Sequence, residues 1–234
     1  MSAGAEGTGP RRQLYGRRHG KRLKPSQQRL LAELLPRLRL AGVSPAENPE
    51  RRPLAHEALF ADRRPLWLEV GFGGGEHLAH VARANPGLGL VGCEPFVNGV
   101  AKALAAIEAA GADNVRLHPG DARDLIELLP AGAVGRVFLL YPDPWPKARH
   151  ARRRFASREN LALLAPAVMP GAELRLATDI EAYAEHALAE VALSPGWRTV
   201  ADGRAPWADW PGTRYEAKAL EAGRRPRYIT VVRL

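Results

Sequence analysis

Cysteine is nearly absent from this sequence. Its 234 residues include Cys93 alone, so no disulfide framework supports the fold, and a lone thiol fits a reducing compartment such as the cytoplasm. Aromatic residues supply only 6%, yet 46% of the chain is hydrophobic and 25% charged, which excludes collagen-like and wholly disordered chains and suffices for one sizeable core. No apolar run approaches the ~20 residues that cross a bilayer, and the Arg-rich start is not followed by a hydrophobic signal core. Neither membrane insertion nor secretion is expected. Acids are in deficit, 25 against 34 bases, and the resulting +9 favours a polyanionic partner, nucleic acid first.

Residues 1–25 are Gly-rich and basic, with Arg11, Arg12, Arg17, Arg18, Lys21, Arg22 and Lys24 against Glu6, and read as a flexible arm. In residues 26–64 an N-terminal helix, with leucines at helical spacing from Ser26 to Leu40 and Pro36 set to kink or end it, precedes a Pro- and Arg-rich connector. Residues 65–234 alternate between two patterns. "LWLEV", "LGLVGCE", "NVRLHPGD", "VGRVFLLYPD" and "AELRLATD" read as strands, and the segments after them carry helical spacing, one closed by Gly111 and one opened by Ser157. This predicts an α/β domain, a Rossmann-like, mostly parallel seven-stranded sheet with helices on both faces. The last strands, "WRTVA" and "RYITVVRL", have no helical pattern between them and are expected as an antiparallel pair at the sheet edge.

The richest local signal is Glu69-Val-Gly71-Phe-Gly73-Gly74-Gly75-Glu76, between a strand and a helix. Glycines there allow a sharp turn and close approach of a ligand. A dinucleotide site wants glycine or alanine where Glu76 stands, and a carboxylate at that helix start would repel a pyrophosphate. S-adenosylmethionine fits better, because its ammonium and sulfonium are favoured by nearby acids such as Glu69. Glu94 ends the second strand, where an acid can accept from both ribose hydroxyls, and Asp121 ends the third, positioned for the adenine end. Gly71, Gly73 and Gly75 complete this cofactor-binding set. Cys93 is expected to be a small buried core residue.

"FLLYPDPWPKARHARRRF" is the most unusual stretch. Pro142, Pro144 and Pro146 lock alternate φ angles, so the loop is stiff and holds Asp143, Trp145 and Lys147 in fixed order. Acid, prolines and an aromatic at such a strand end suit methylation of a base nitrogen, the aromatic stacking on the base. Lys147, Arg149, His150, Arg152, Arg153, Arg154 and Arg158 come next with no acid among residues 147–158, a run read as phosphate-steering, with Arg149, Arg152, Arg153 and Arg154 expected to contact RNA.

From about Leu66 onward the chain resembles the bacterial tRNA (guanine-N7-)-methyltransferase family, through "LEVGFGGGEHL", "GCEPF", "YPDPWPKARHARRRF", "LATDIEAYA" and "TRYE". The resemblance implies a class I S-adenosylmethionine-dependent methyltransferase fold with an antiparallel C-terminal strand, tRNA as partner and guanosine 46 of the variable loop as target. It also implies cofactor-binding roles for Glu69, Glu94, Asp121 and Asp143, a catalytic role for Asp143, and substrate-binding roles for Lys147, Asp179, Thr213, Arg214, Tyr215 and Glu216. Gly74 stands where relatives often carry a larger residue, and the Arg-rich arm is extra.

Guanine N7 already carries an in-plane lone pair, so attack on a sulfonium methyl needs alignment rather than deprotonation. Asp143 is therefore expected to stabilise developing positive charge, Asp179 and Glu216 to accept from guanine N1 and N2, and Tyr215 and Trp145 to sandwich the base. His77 and His80 lie three apart with no third ligand nearby, so no metal is expected. A methyltransferase acting on an exocyclic nitrogen and a catalytically silent RNA-binding protein of the same fold remain the competing readings.

Overall fold

The computed structural model describes residues 14–234. Strands β1 (Leu66–Val70), β2 (Gly89–Cys93), β3 (Val115–His118), β4 (Val134–Leu140), β5 (Val168–Thr178), β6 (Trp197–Gly203) and β7 (Arg227–Arg233) form one sheet in the order β3-β2-β1-β4-β5-β7-β6. β1 to β5 are parallel, whereas β7 lies antiparallel between β5 and β6. β7 alone runs against the rest of the sheet, and β6 occupies the edge. The short apolar runs become central strands because both faces are covered: Leu66, Leu68 and Val70 enter one core cluster, while the neighbouring Trp67 packs against the other face. The thiol of Cys93 is buried within the first of these clusters.

Helices come after the strands as the alternation predicts: α4 (Glu76–Ala84), α5 (Val97–Ala110), α6 (Ala122–Ile126), α7 (Arg158–Leu164) and α8 (Glu181–Ala192). Gly111 closes α5 in the left-handed region at φ 62, which glycine adopts without steric cost. The side chain of Asp121 opens α6 by accepting from Arg123 N, and that of Ser157 opens α7 by accepting from Asn160 N. Upstream of the sheet, the expected single helix is broken into α1 (Pro25–Glu33) and α2 (Leu35–Leu38), with Pro36 in the first turn of the second. The connector contributes α3 (His56–Leu59).

Two expectations need correction. A helix, α9 (Arg214–Glu221), does occur between β6 and β7, opened by a capping box in which Thr213 accepts from Glu216 N and Glu216 accepts from Thr213 N. The basic arm also divides. Residues 1–13 lie outside the described residues, whereas Arg18, Gly20 and Lys21 are hydrogen-bonded to the start of α5. There Val97 N donates to Arg18 O at 2.9 Å, Gly20 N to Asn98 Oδ1 at 2.7 Å, and Asn98 Nδ2 to Lys21 O at 2.7 Å.

Candidate active site

The carboxyl ends of β1, β2 and β4 open on a cavity of ≈310 Å³, where a parallel sheet offers loop backbone and helix starts to a ligand. Its floor is the glycine loop. Gly71, Gly73 and Gly75 have φ of 74, 55 and 75, a sequence of left-handed steps that side-chain-bearing residues rarely take. A Cβ on Gly71 would meet no atom within 4 Å, so that side of the loop is open space, whereas one on Gly75 would stand 2.4 Å from the Ala103 Cβ on α5. Gly75 lets α4 and α5 pack; Gly71 leaves room for a guest.

Glu94 spans the loop from below, one carboxylate oxygen accepting from Gly73 N at 2.8 Å and the other from Phe96 N at 2.9 Å. Burial raises its pKa above the usual carboxylate range, and the two backbone donors pull against that shift. Asp143 projects from the loop after β4 into the same cavity. The structure therefore brings Gly71, Gly73, Glu94 and Asp143 together. It places Glu69 and Asp121 differently. Glu69 is buried and hydrogen-bonds the His77 ring at 2.8 Å, and Asp121 is held by its cap to α6 and a fork with Arg123, whose Nη2 lies at 2.5 Å. Neither lines the cavity wall.

Opposite the glycine loop stands the proline loop. Tyr141 and Trp145, each followed by proline, have φ of 48 and 41, conformations that cost a bulky residue on the order of 1–3 kcal/mol and persist only where surroundings enforce them. Tyr141 N is fixed to Ala177 O at 2.7 Å. The Tyr141 ring lies nearly parallel to Tyr215, with centroids 6.4 Å apart and planes 19° off, and Tyr215 covers Gly73. Trp145 instead meets Tyr15 edge-on at 6.3 Å, with the Arg153 guanidinium 4.6 Å from the Tyr15 centroid and 4.9 Å from that of Trp145. Tyr15, Gly16 and Arg17 line the cavity too. Sequence reasoning missed them. Tyr15, an aromatic between glycines and arginines in a stretch that reads as a tail, was the available signal.

Other expected residues have different surroundings. Glu216 is engaged within the protein, accepting from Trp210 Nε1 at 2.8 Å, from Thr213 N at 3.3 Å and from the Tyr228 hydroxyl. Those bonds fill three of about four lone-pair sites and tie α9 to β7. Asp179, after β5, accepts from Arg224 Nε at 2.5 Å. Arg214 lies against Tyr215, 5.2 Å from its centroid, with Glu76 3.7 Å away. Lys147, Arg149 and Arg152 are exposed on and before a short 3₁₀ helix (Ala148–Arg153). Arg154 corrects the expectation of an RNA contact: it is buried, and each of its three nitrogens donates to a backbone carbonyl. A guanidinium so enclosed cannot meet a phosphate on the surface.

A Rossmann-like sheet of this topology, with a glycine cradle and the acids Glu94 and Asp143 at the ends of β2 and β4, defines a class I S-adenosylmethionine-dependent methyltransferase. The family model described as "Putative methyltransferase" matches residues 63–227. The tRNA (guanine-N(7)-)-methyltransferase of Paracoccus denitrificans is 56% identical over 221 residues, covering 94% of each chain. That of Cereibacter sphaeroides is 55% identical over 219 residues, covering 94% of this chain and 90% of the relative. The chain belongs to the tRNA (guanine-N(7)-)-methyltransferase family. Among solved structures, 16S rRNA methyltransferase KamB superposes with a TM-score of 0.55 at 20% identity, covering 82% of this chain and 94% of that one, a likeness of fold.

Proposed function

We propose that this protein transfers a methyl group from S-adenosylmethionine to N7 of guanosine 46 in the variable loop of tRNA. The observation that carries the reading is the meeting of Glu94 and Asp143, two carboxylates, with the stacked rings of Tyr141 and Tyr215 around one glycine-floored cavity. The residues fit the methyl donor. Gly71 leaves open space where a Cβ would stand, the acids suit a cation, and Arg17 at the rim suits the carboxylate of its amino-acid end. When bound, the donor supplies an electrophilic methyl on a positively charged sulfur.

The chain's own groups do the rest. Glu94 offers its remaining lone pairs to the ribose hydroxyls, with Glu69 and Asp121 shaping the neighbouring strand ends. Asp143 faces the reacting centre and stabilises the positive charge that passes to the guanine ring, with no proton to remove. Tyr215 supplies the stacking surface for the base, worth about 1–3 kcal/mol. Asp179 keeps acceptor capacity for the guanine N1 and N2 donors, while Glu216, Thr213 and Arg214 set the position of α9. Adenine lacks the N2 donor, and leaving a buried acceptor unpaired costs about 1–3 kcal/mol. Lys147, Arg149, Arg152 and Arg153 hold the tRNA backbone. Buried Cys93 and a tRNA substrate both fit a cytoplasmic location.

The test is direct: unmodified tRNA and methyl-labelled donor are incubated with the protein, and the labelled nucleotide is mapped. Label at N7 of the variable-loop guanosine is expected; label at an exocyclic nitrogen, or none, defeats the proposal. Arg149→Ala with Arg152→Ala should flatten the dependence of tRNA affinity on salt by about 0.7–0.9 in logarithmic slope per lost phosphate contact. An unchanged slope removes both residues from the interface.

A further inference from the structure

Arg154 is the least expected charge in the molecule, 6% exposed and with no ion-pair partner among the described residues. A guanidinium normally loses heavily by leaving water unless its donors are filled. Here each of its three nitrogens donates to main chain: Nε to Pro144 O at 3.0 Å, Nη2 to Trp145 O at 3.2 Å and Nη1 to Ala182 O at 3.1 Å, three of the five N–H donors. Two of these carbonyls belong to the proline loop, and the third to the first turn of α8. The planar fork is suited to gripping several fixed acceptors, which a lysine ammonium on a flexible stem is not. Beneath it, 5.8 Å from the guanidinium, lies the fully buried ring of Tyr183, whose hydroxyl accepts from Ala156 N at 3.2 Å.

The loop has reason to need a grip from outside. Pro142, Pro144 and Pro146 have no N–H, so it cannot be closed by donors at those positions. Its Trp145 is held left-handed at φ 41, a conformation that relaxes unless neighbouring structure forbids it. Arg154 binds the two carbonyls that flank Trp145, those of Pro144 and of Trp145 itself, in the peptides just after Asp143.

We propose that Arg154 is a positioning residue for methyl transfer: from inside the fold it clamps the proline loop to α8 and so sets Asp143 and Trp145 against the reacting atoms. This deepens the functional reading above and rests on it. Arg149 and Arg152 of the same run face solvent, so position in the run separates surface steering from internal clamping.

The experiment compares the full-length wild type with Arg154→Lys and Arg154→Ala, each checked for folding by thermal melting and for donor binding by calorimetry. Single-turnover methyl transfer is measured at saturating donor and tRNA. Misplacement of reacting groups by about 1 Å costs on the order of 100-fold, so a rate loss of that size is expected in both variants. Donor affinity and the salt slope of tRNA binding stay at the wild-type values. Partial recovery of Arg154→Ala by added guanidinium ion, at sub-denaturing concentration, is expected as well.

A single-turnover rate within about twofold of wild type overturns the clamp. So does a loss confined to tRNA affinity with a flatter salt slope, which would return Arg154 to the phosphate surface. If neither variant folds, Arg154 serves stability and the proposal is wrong. A wild type that methylates no tRNA guanosine would sink the functional reading itself, which separates the two failures.

Discussion

The glycine loop and the proline loop face each other across one cavity and solve opposite problems with the same backbone conformation. On the donor side, left-handed steps at Gly71, Gly73 and Gly75 come at no steric cost, and the loop brings bare backbone to a ligand. Across the cavity, left-handed steps fall on Tyr141 and Trp145, which must be held there from outside, Tyr141 through its N–H to Ala177 O and Trp145 by the carbonyl grip of Arg154. A small flexible donor needs close approach. A base that must be aligned with a methyl group needs stiffness. The sheet supplies the first through the loop leaving β1 and the second through the loop leaving β4.

Four perturbations put this contrast at risk. The largest effect is expected from Asp143→Ala, which leaves both backbones intact and removes the charge between them. Loss of one preorganised electrostatic group costs about 10²–10³ in turnover, so single-turnover methyl transfer should fall by that factor while tRNA affinity holds. A loss of tRNA binding with normal turnover would place Asp143 outside the reaction.

Next comes pH, acting on the donor side. Burial pushes the His118 imidazole down to about 4. The folded protein therefore resists a proton that the unfolded chain accepts near 6.5, so stability is full above that value and is lost as pH falls toward 4. The loss approaches about 3 kcal/mol at 1.36 kcal/mol per unit. His118 O also accepts from Glu94 N at 3.1 Å, which links this titration to the donor pocket. Denaturant melts of His118→Gln across this range should show a flatter pH dependence; a slope equal to wild type would assign the acid sensitivity elsewhere.

Gly75→Ala tests the inexpensive loop. Its new Cβ would meet Ala103 at 2.4 Å while held at φ 75, so unfolding free energy should drop by about 1–3 kcal/mol. Trp145→Gly tests the strained one and should change stability least, within about 1 kcal/mol, because relief of the backbone offsets lost packing of the indole. Methyl transfer should nonetheless fall, since the rigid aromatic is gone. A Trp145→Gly protein much less stable than wild type would mean that the left-handed turn carries little strain.

Much of this architecture is legible in the residues themselves. The order of strands and helices from Leu66, the break at Pro36, the C-cap at Gly111 and the N-cap at Ser157 all obey local rules that the fold respects. Helix α9 is equally local, because Thr213 and Glu216 have the spacing of a capping box, but the family resemblance assigns those residues to the substrate and so masks the helix. What local rules cannot supply is burial of a polar side chain. Arg152 and Arg154 are the same residue two positions apart in one basic run, one exposed and one enclosed, and only the arrival of Pro144, Trp145 and Ala182 distinguishes them. Tyr15 and Arg17 reach the cavity for a similar reason, because the segment beside them is hydrogen-bonded to an α5 start 77 or 78 residues away in sequence.

The strand order leaves β3 as the outermost of the parallel strands, and Arg39 pairs with it through a single bridge, Leu40 N donating to Leu117 O at 2.9 Å. That one rung works as a plug. Without it a run of unused amides and carbonyls would invite another copy to extend the sheet, the usual start of aggregation. Trimming the chain to its sheet domain would thus bare this edge to a second copy as well as remove Tyr15 and Arg17 from the cavity wall.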